Sequence, residues 1–114
     1  MERLEVKRGD VVLVVVPSDL GRPRPGVVVQ ADEFNNELST IVICPISSDI
    51  QDKLRLRPII EAIPSNGLRL RSQIMTDKMI ALRRDRVRSV IGHIDAETSE
   101  QLDRAVLVML GLAR

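Results

Sequence analysis

The chain has 114 residues, 44% hydrophobic and 29% charged, a balance that excludes disordered, collagen-like and fibrous classes and fits one globular domain over residues 1–114. One Phe and no Trp or Tyr leave almost nothing for stacking bases on aromatic platforms, so any nucleic-acid binding has to use Arg, Lys and backbone. The net charge of +1 is unevenly spread: residues 31–52 carry five acids and no base, whereas residues 53–88 carry ten bases and three acids, a stretch that attracts phosphate or covers apolar surface with its Arg stems.

Val11 to Val16 is a continuous apolar run, β-branched except at Leu13, between Gly9-Asp10 and Pro17-Ser18-Asp19, which predicts a buried strand. Val27 to Val29 predicts a second. Pro17 to Pro25, with three prolines and two arginines, is expected to be an exposed connection outside the sheet ladder. Asp32 to Asn36 reads as a turn or short helix, and Thr40 to Ile46 as a third strand. Leu54-Arg55-Leu56-Arg57 and Leu68-Arg69-Leu70-Arg71 alternate apolar and cationic residues, as half-buried antiparallel strands do, with Pro64-Ser65-Asn66-Gly67 as the turn of a hairpin between them. Gln73 to Leu82 predicts a further strand, and Arg83 to Arg88 concentrates cations. Asp95 stands where an N-cap would, ahead of a helix whose stripe is Leu102, Ala105, Val106, Met109 and Leu110. Short strands with a terminal helix predict an α+β fold: a small, SH3-like, strongly curved antiparallel β-barrel with a C-terminal helix. A helix stripe or sheet face left open in so small a domain predicts a homodimer.

Cys44 lies in the apolar run Ile41-Val42-Ile43-Cys44, where a buried thiol is expected, and a single Cys forms no internal disulfide. No N-terminal stretch reads as a signal peptide and no apolar run approaches the roughly 18 residues that span a bilayer, so a cytoplasmic protein without a membrane partner is expected. There is no Gly-rich phosphate loop, no Cys or His pair at metal spacing and no nucleophile elbow. His93 is alone, which rules out a ribonuclease built on two histidines, and beside Gly92 at the start of the helix it reads as structural. Asp49 with Asp52, and Asp32 with Glu33, have spacings common on any surface.

Lys7-Arg8-Gly9-Asp10-Val11-Val12, then Gly21-Arg22-Pro23-Arg24-Pro25-Gly26-Val27-Val28-Val29-Gln30, then Ile43-Cys44-Pro45-Ile46-Ser47-Ser48, in this order and spacing, resemble the MazF/PemK family of toxin endoribonucleases. Ile94-Asp95-Ala96-Glu97-Thr98 and Leu110-Gly111-Leu112 extend the likeness to Leu112. The resemblance implies a toxin of a type II toxin-antitoxin system: a metal-independent endoribonuclease, without a cofactor, that cuts single-stranded RNA at short motifs, acts as a homodimer, is restrained by an antitoxin protein and arrests growth. It implies Arg24 and Ser47 as the catalytic pair, with Ser47 where many members have Thr. Many members also carry a Ser-Glu-Gln-like segment before the Arg-Pro, whereas Asp19 is the only acid of this loop.

The chemistry of these side chains agrees. Metal-free RNA cleavage uses the 2′-hydroxyl as nucleophile and builds charge on the phosphorus, and a guanidinium presents a fixed fork of donors to phosphate oxygens. Ser47 adds one hydrogen bond. Taken singly, Arg24 is a loop cation and Ser47 a strand-ending cap; their joint occurrence in the family's order favours a site. Arg22, Ser48, Arg69, Arg71, Lys78 and Arg83 are the candidate RNA contacts. Two other readings share the fold class: a CcdB-like gyrase poison acting by binding, whose relatives lack the Arg-Pro motif and end in Trp, and a non-catalytic SH3-like RNA-binding module.

Overall fold

The first valine run becomes strand β1 (Asp10–Val15), and both of its faces are covered. Val11 packs with Val27, Cys44 and Ile46 on one side, and Val12 and Val14 pack with Val28, Ile41 and Ile43 on the other. A strand buried on both faces needs no polar alternation, which is why the run is unbroken. The computed structural model describes residues 4–53 and 55–114. The chain continues as β2 (Pro23–Val28), the one-turn helix α1 (Asp32–Asn35), β3 (Thr40–Ser47), β4 (Ile59–Ile60), β5 (Ser72–Ile74), β6 (Ile80–Arg83), β7 (Val87–His93) and helix α2 (Ala96–Met109).

The strands pair antiparallel in the order β4-β5-β3-β2-β1-β7, with β6 against the first half of β3. Between β1 and β7 the register shifts twice, at Val11/Val12 and at Leu13/Val14. Each shift inserts an extra residue that bends the strand and increases its twist. The sheet therefore curls into an antiparallel half-barrel with a C-terminal helix, the α+β class expected. Asp95 caps α2, its Oδ1 accepting the Thr98 N–H at 2.8 Å. Leu102 and Ala105 bury into the core, and Arg8 fastens the helix by donating to Asp103 at 2.7 Å and to the Val29 carbonyl at 3.1 Å. The last turn of the stripe departs from expectation: Met109 and Leu110 remain 41% and 57% exposed. Among the described residues no helix is long and apolar enough to cross a membrane.

Four expectations need correction. The first connection ends at Arg22, because Pro23 and Pro25 lie inside β2 opposite Val15 and Leu13. A proline is tolerated there because β3 pairs with β2 only from Gly26 onward, so the edge lacking N–H groups has no partner strand. Residues 55–57 form a turn and Leu68 to Arg71 are irregular, while the short pair β4 and β5 stands outside those segments; Leu54 lies outside the described residues. The Gln73 to Leu82 segment breaks at a 3-10 turn, Thr76–Lys78, into β5 and β6. His93 ends β7 rather than starting the helix, its Nδ1 2.9 Å from Asp10 Oδ1.

The alternation of Leu56 and Arg57 fails as a strand because Arg57 turns inward, only 3% exposed, and pairs with Asp77 through two bonds of 2.8 and 2.9 Å. Hydrogen bonds from Arg57 hold the Asp77 carboxyl below its ordinary range. A carboxyl lowered on folding contributes stability above its unfolded pKa, near 3.9, and loses that contribution as the pH falls through the folded value. Arg57→Met is therefore expected to destabilise the protein by about 3 kcal/mol at neutral pH, the lower end for a broken buried pair. The gap from wild type should narrow below about pH 4, as thermal unfolding at several pH values would read.

Candidate active site

Two strand ends and a turn meet around a cleft of about 670 Å³. Arg24 enters from β2, where it is paired with Val14. Ser47 enters from the end of β3. The pairing of β2 with β3 stops at Gly26 opposite Pro45, and continuing that register by two residues sets Ser47 across from Arg24. Both line the cleft, with Ser48 beside them and Leu68, Arg69 and Leu70 on the facing wall. Its floor is apolar, from Leu13, Ile46, Met75 and Ile91.

The loop ahead of β2 controls the guanidinium. Pro17–Asp19 forms a 3-10 turn, after which Leu20 (φ 52°) and Gly21 (φ 78°) are both left-handed and swing the chain sharply into the strand. Asp19 thereby faces Arg24, which donates from Nε at 2.6 Å and from Nη2 at 3.4 Å. That hydrogen bond lowers the Asp19 pKa and raises that of Arg24, so the pair stays charged through neutral pH. A guanidinium has five donors in a rigid plane. Asp19 takes one edge; the Nη1 amine and the second Nη2 proton bond to no other side chain among the described residues and form a second edge with the spacing of two phosphate oxygens. The Ser47 hydroxyl accepts the Asp49 N–H at 3.1 Å, which leaves its proton free to donate.

Of the candidate RNA contacts, Ser48 and Arg69 line the cleft with the pair. Arg22 is exposed in the loop before β2 and lines no part of it. Arg71 donates to Glu61 at 2.9 Å and faces a different groove, beside Asp95 and Glu97 at the start of α2. Lys78 is exposed on the turn after β5. Arg83 lies opposite Thr40, at the other end of β3 from Ser47, and pairs with Asp85. Seven residue steps of strand separate those ends, roughly 23 Å. Sequence reasoning noted Asp19 only as a lone acid and passed over the apolar floor, whose residues come from four separate segments.

A family model described as "PemK-like, MazF-like toxin of type II toxin-antitoxin system" matches residues 7–110. The chain is 32% identical over 109 residues to a probable endoribonuclease MazF of Mycolicibacterium smegmatis, covering 95% of this chain and 99% of that protein. It is 31% identical over 112 residues to endoribonuclease EndoA of Bacillus subtilis, covering 94% and 96%. Among solved structures, a mycobacterial endoribonuclease in complex with its cognate antitoxin superposes with a TM-score of 0.79 at 17% identity, over 96% of this chain and 98% of that one. At that identity the superposition speaks for the fold.

Proposed function

The chain belongs to the PemK-like, MazF-like family of toxins of type II toxin-antitoxin systems, and from that premise we propose that Arg24 and Ser47 are the residues with which it cuts RNA. It is a MazF-like toxin endoribonuclease. The observation that carries the assignment is their convergence on one cleft from two different strands.

Single-stranded RNA lies in the cleft with its scissile phosphate between the two groups. The 2′-oxygen attacks phosphorus, the bond to the 5′-oxygen breaks, and the products are a 2′,3′-cyclic phosphate and a 5′-hydroxyl. The open edge of Arg24 takes two phosphate oxygens and stabilises the charge that grows on them. Ser47 donates a further hydrogen bond, and Arg69 holds a phosphate on the opposite wall. With no aromatic residue in the cleft, the bases meet aliphatic side chains and backbone. No metal or cofactor takes part in this scheme. The toxin works in the cytoplasm, where an antitoxin protein restrains it, and a second copy covers the exposed last turn of α2.

Purified protein incubated with mixed-sequence RNA in EDTA is expected to release fragments ending in 2′,3′-cyclic phosphate, and intact RNA would refute the proposal. Ser47→Ala should slow cleavage by about 10²-fold, the range for losing one preorganised donor. Toxicity on expression should fall with it. Full toxicity of the variant would reduce Ser47 to a turn cap.

A further inference from the structure

Gln73 is the polar residue most completely removed from solvent next to the proposed site: its exposure is 0%. It sits in β5, between Ser47 of β3 on one side and Ile59 of β4 on the other. Neither strand uses its side-chain amide. That amide instead reaches the exposed segment beyond β3, where its Oε1 accepts the Gln51 N–H at 2.9 Å and its Nε2 donates to the Gln51 carbonyl at 2.8 Å.

The two bonds close a ring on one residue's backbone; the segment's other bonds are short-range, from Lys53 N–H to the Gln51 carbonyl at 2.8 Å, from the Leu56 and Arg57 N–H groups to the Lys53 carbonyl, and from Gln51 Nε2 to Asp49 at 3.4 Å. Ser48 to Lys53 are all exposed, so buried packing does not fix their course. The Asp49 N–H that orients the Ser47 oxygen belongs to this same segment. A buried amide with both ends satisfied has one orientation, because rotating it would break two bonds where no water can replace them. Gln73 thus ties Gln51, two residues beyond Asp49, to the rigid interior.

We infer that Gln73 is a positioning residue for the reaction, fixing the Ser47–Gln51 turn through its reciprocal bonds to the Gln51 backbone and thereby aiming the Ser47 hydroxyl at the scissile phosphate. The inference rests on the catalytic reading of Ser47. Gln73 touches no RNA. Its loss leaves Arg24 and Arg69 in place and releases only the turn that carries Ser47 and Ser48, so the main effect falls on the chemical step.

Gln73→Met keeps the volume and removes both bonds; Gln51→Pro removes the N–H bond from an exposed position and keeps every buried side chain, at the cost of leaving Gln73 Oε1 without its donor. Both variants, Ser47→Ala, and Gln73→Met combined with Ser47→Ala are to be assayed for kcat and KM on one RNA. Gln73→Met is expected to lose roughly 10- to 100-fold in kcat, the range for a reacting group displaced by about 1 Å, with KM nearly unchanged. Gln51→Pro should move in the same direction. In the Ser47→Ala background, Gln73→Met should cost nothing further, because groups that act as a unit are not additive. Wild-type kcat in both Gln73→Met and Gln51→Pro, or losses that multiply in the combined variant, would overturn the inference while leaving Ser47 catalytic. Full activity of Ser47→Ala would overturn both readings together. If Gln73→Met does not fold, Gln51→Pro alone decides.

Discussion

Arg24→Ala is expected to slow RNA cleavage by roughly 10²- to 10³-fold, the range for removing one preorganised donor aimed at developing charge. The fold should survive, because the Arg24 side chain is 51% exposed and its only side-chain partner among the described residues, Asp19, sits on a surface loop. Lysine is expected to be nearly as poor a replacement as alanine: it is a point charge and cannot give one edge to Asp19 and the other to a phosphate. Single-turnover cleavage under saturating protein, with thermal unfolding as the control for folding, reads this directly. Equal rates for wild type and Arg24→Ala would remove the guanidinium from the reaction. The gyrase-poison reading would survive that substitution, but membership of the MazF-like family has already set it aside.

The second large effect is expected from two glycines rather than from a charged side chain. Gly67 and Gly92 press the turn before Leu68 against β7, backbone to backbone. A Cβ on Gly92 would lie 2.4 Å from the Asn66 carbonyl carbon and 2.5 Å from the Ser65 carbonyl oxygen; one on Gly67 would lie 2.3 Å from the Ile91 carbonyl oxygen. Gly67 is also left-handed, with φ at 73°. Nothing flexible stands in the way that could move aside, since Asn66 pins the turn by donating to the Glu61 carbonyl at 2.8 Å and accepting the Leu68 N–H at 3.0 Å. Overpacking of this kind costs about 1–3 kcal/mol or more, and a Cβ in the left-handed region adds about 1–2. Gly92→Ala and Gly67→Ala are expected to lower Tm by roughly 10 °C or more. They should also impair cleavage, because Leu68, Arg69 and Leu70 form the cleft wall carried by this turn. A variant with unchanged Tm and activity would mean that the turn can shift freely.

The strands were legible where both faces carry apolar residues, as at Val11 to Val15, and α2 was legible from its cap and spacing. The cleft's chemistry was legible only as two motifs, since nothing in a linear reading says that Arg24 and Ser47 face one another. That follows from a pairing register that stops early at Pro45. Prolines were read as strand breakers, yet Pro23 and Pro25 occupy an edge that has no partner, where a missing N–H costs nothing. Alternating Leu and Arg were read as strands, although Arg57 is drawn inward by Asp77, which is 20 residues away in sequence. Arg71 and Arg83 belong to a basic stretch only in sequence; in space each answers a nearby acid. Gln73 carried no signal at all, because a buried amide and a surface amide look alike until the backbone it meets is known.

The groups proposed for bond breaking stand on β2 and β3, whereas the wall facing them belongs to the turn between β4 and β5. That turn meets β7 backbone to backbone and is anchored by Leu68, which packs against the core, while the side chains of Arg69 and Leu70 are exposed. Substitutions at Leu70, which lines the cleft yet is 63% exposed, can therefore accumulate without disturbing the groups that break the bond or the fold. A lineage of such proteins can diversify the sites at which it cuts while inheriting one chemistry.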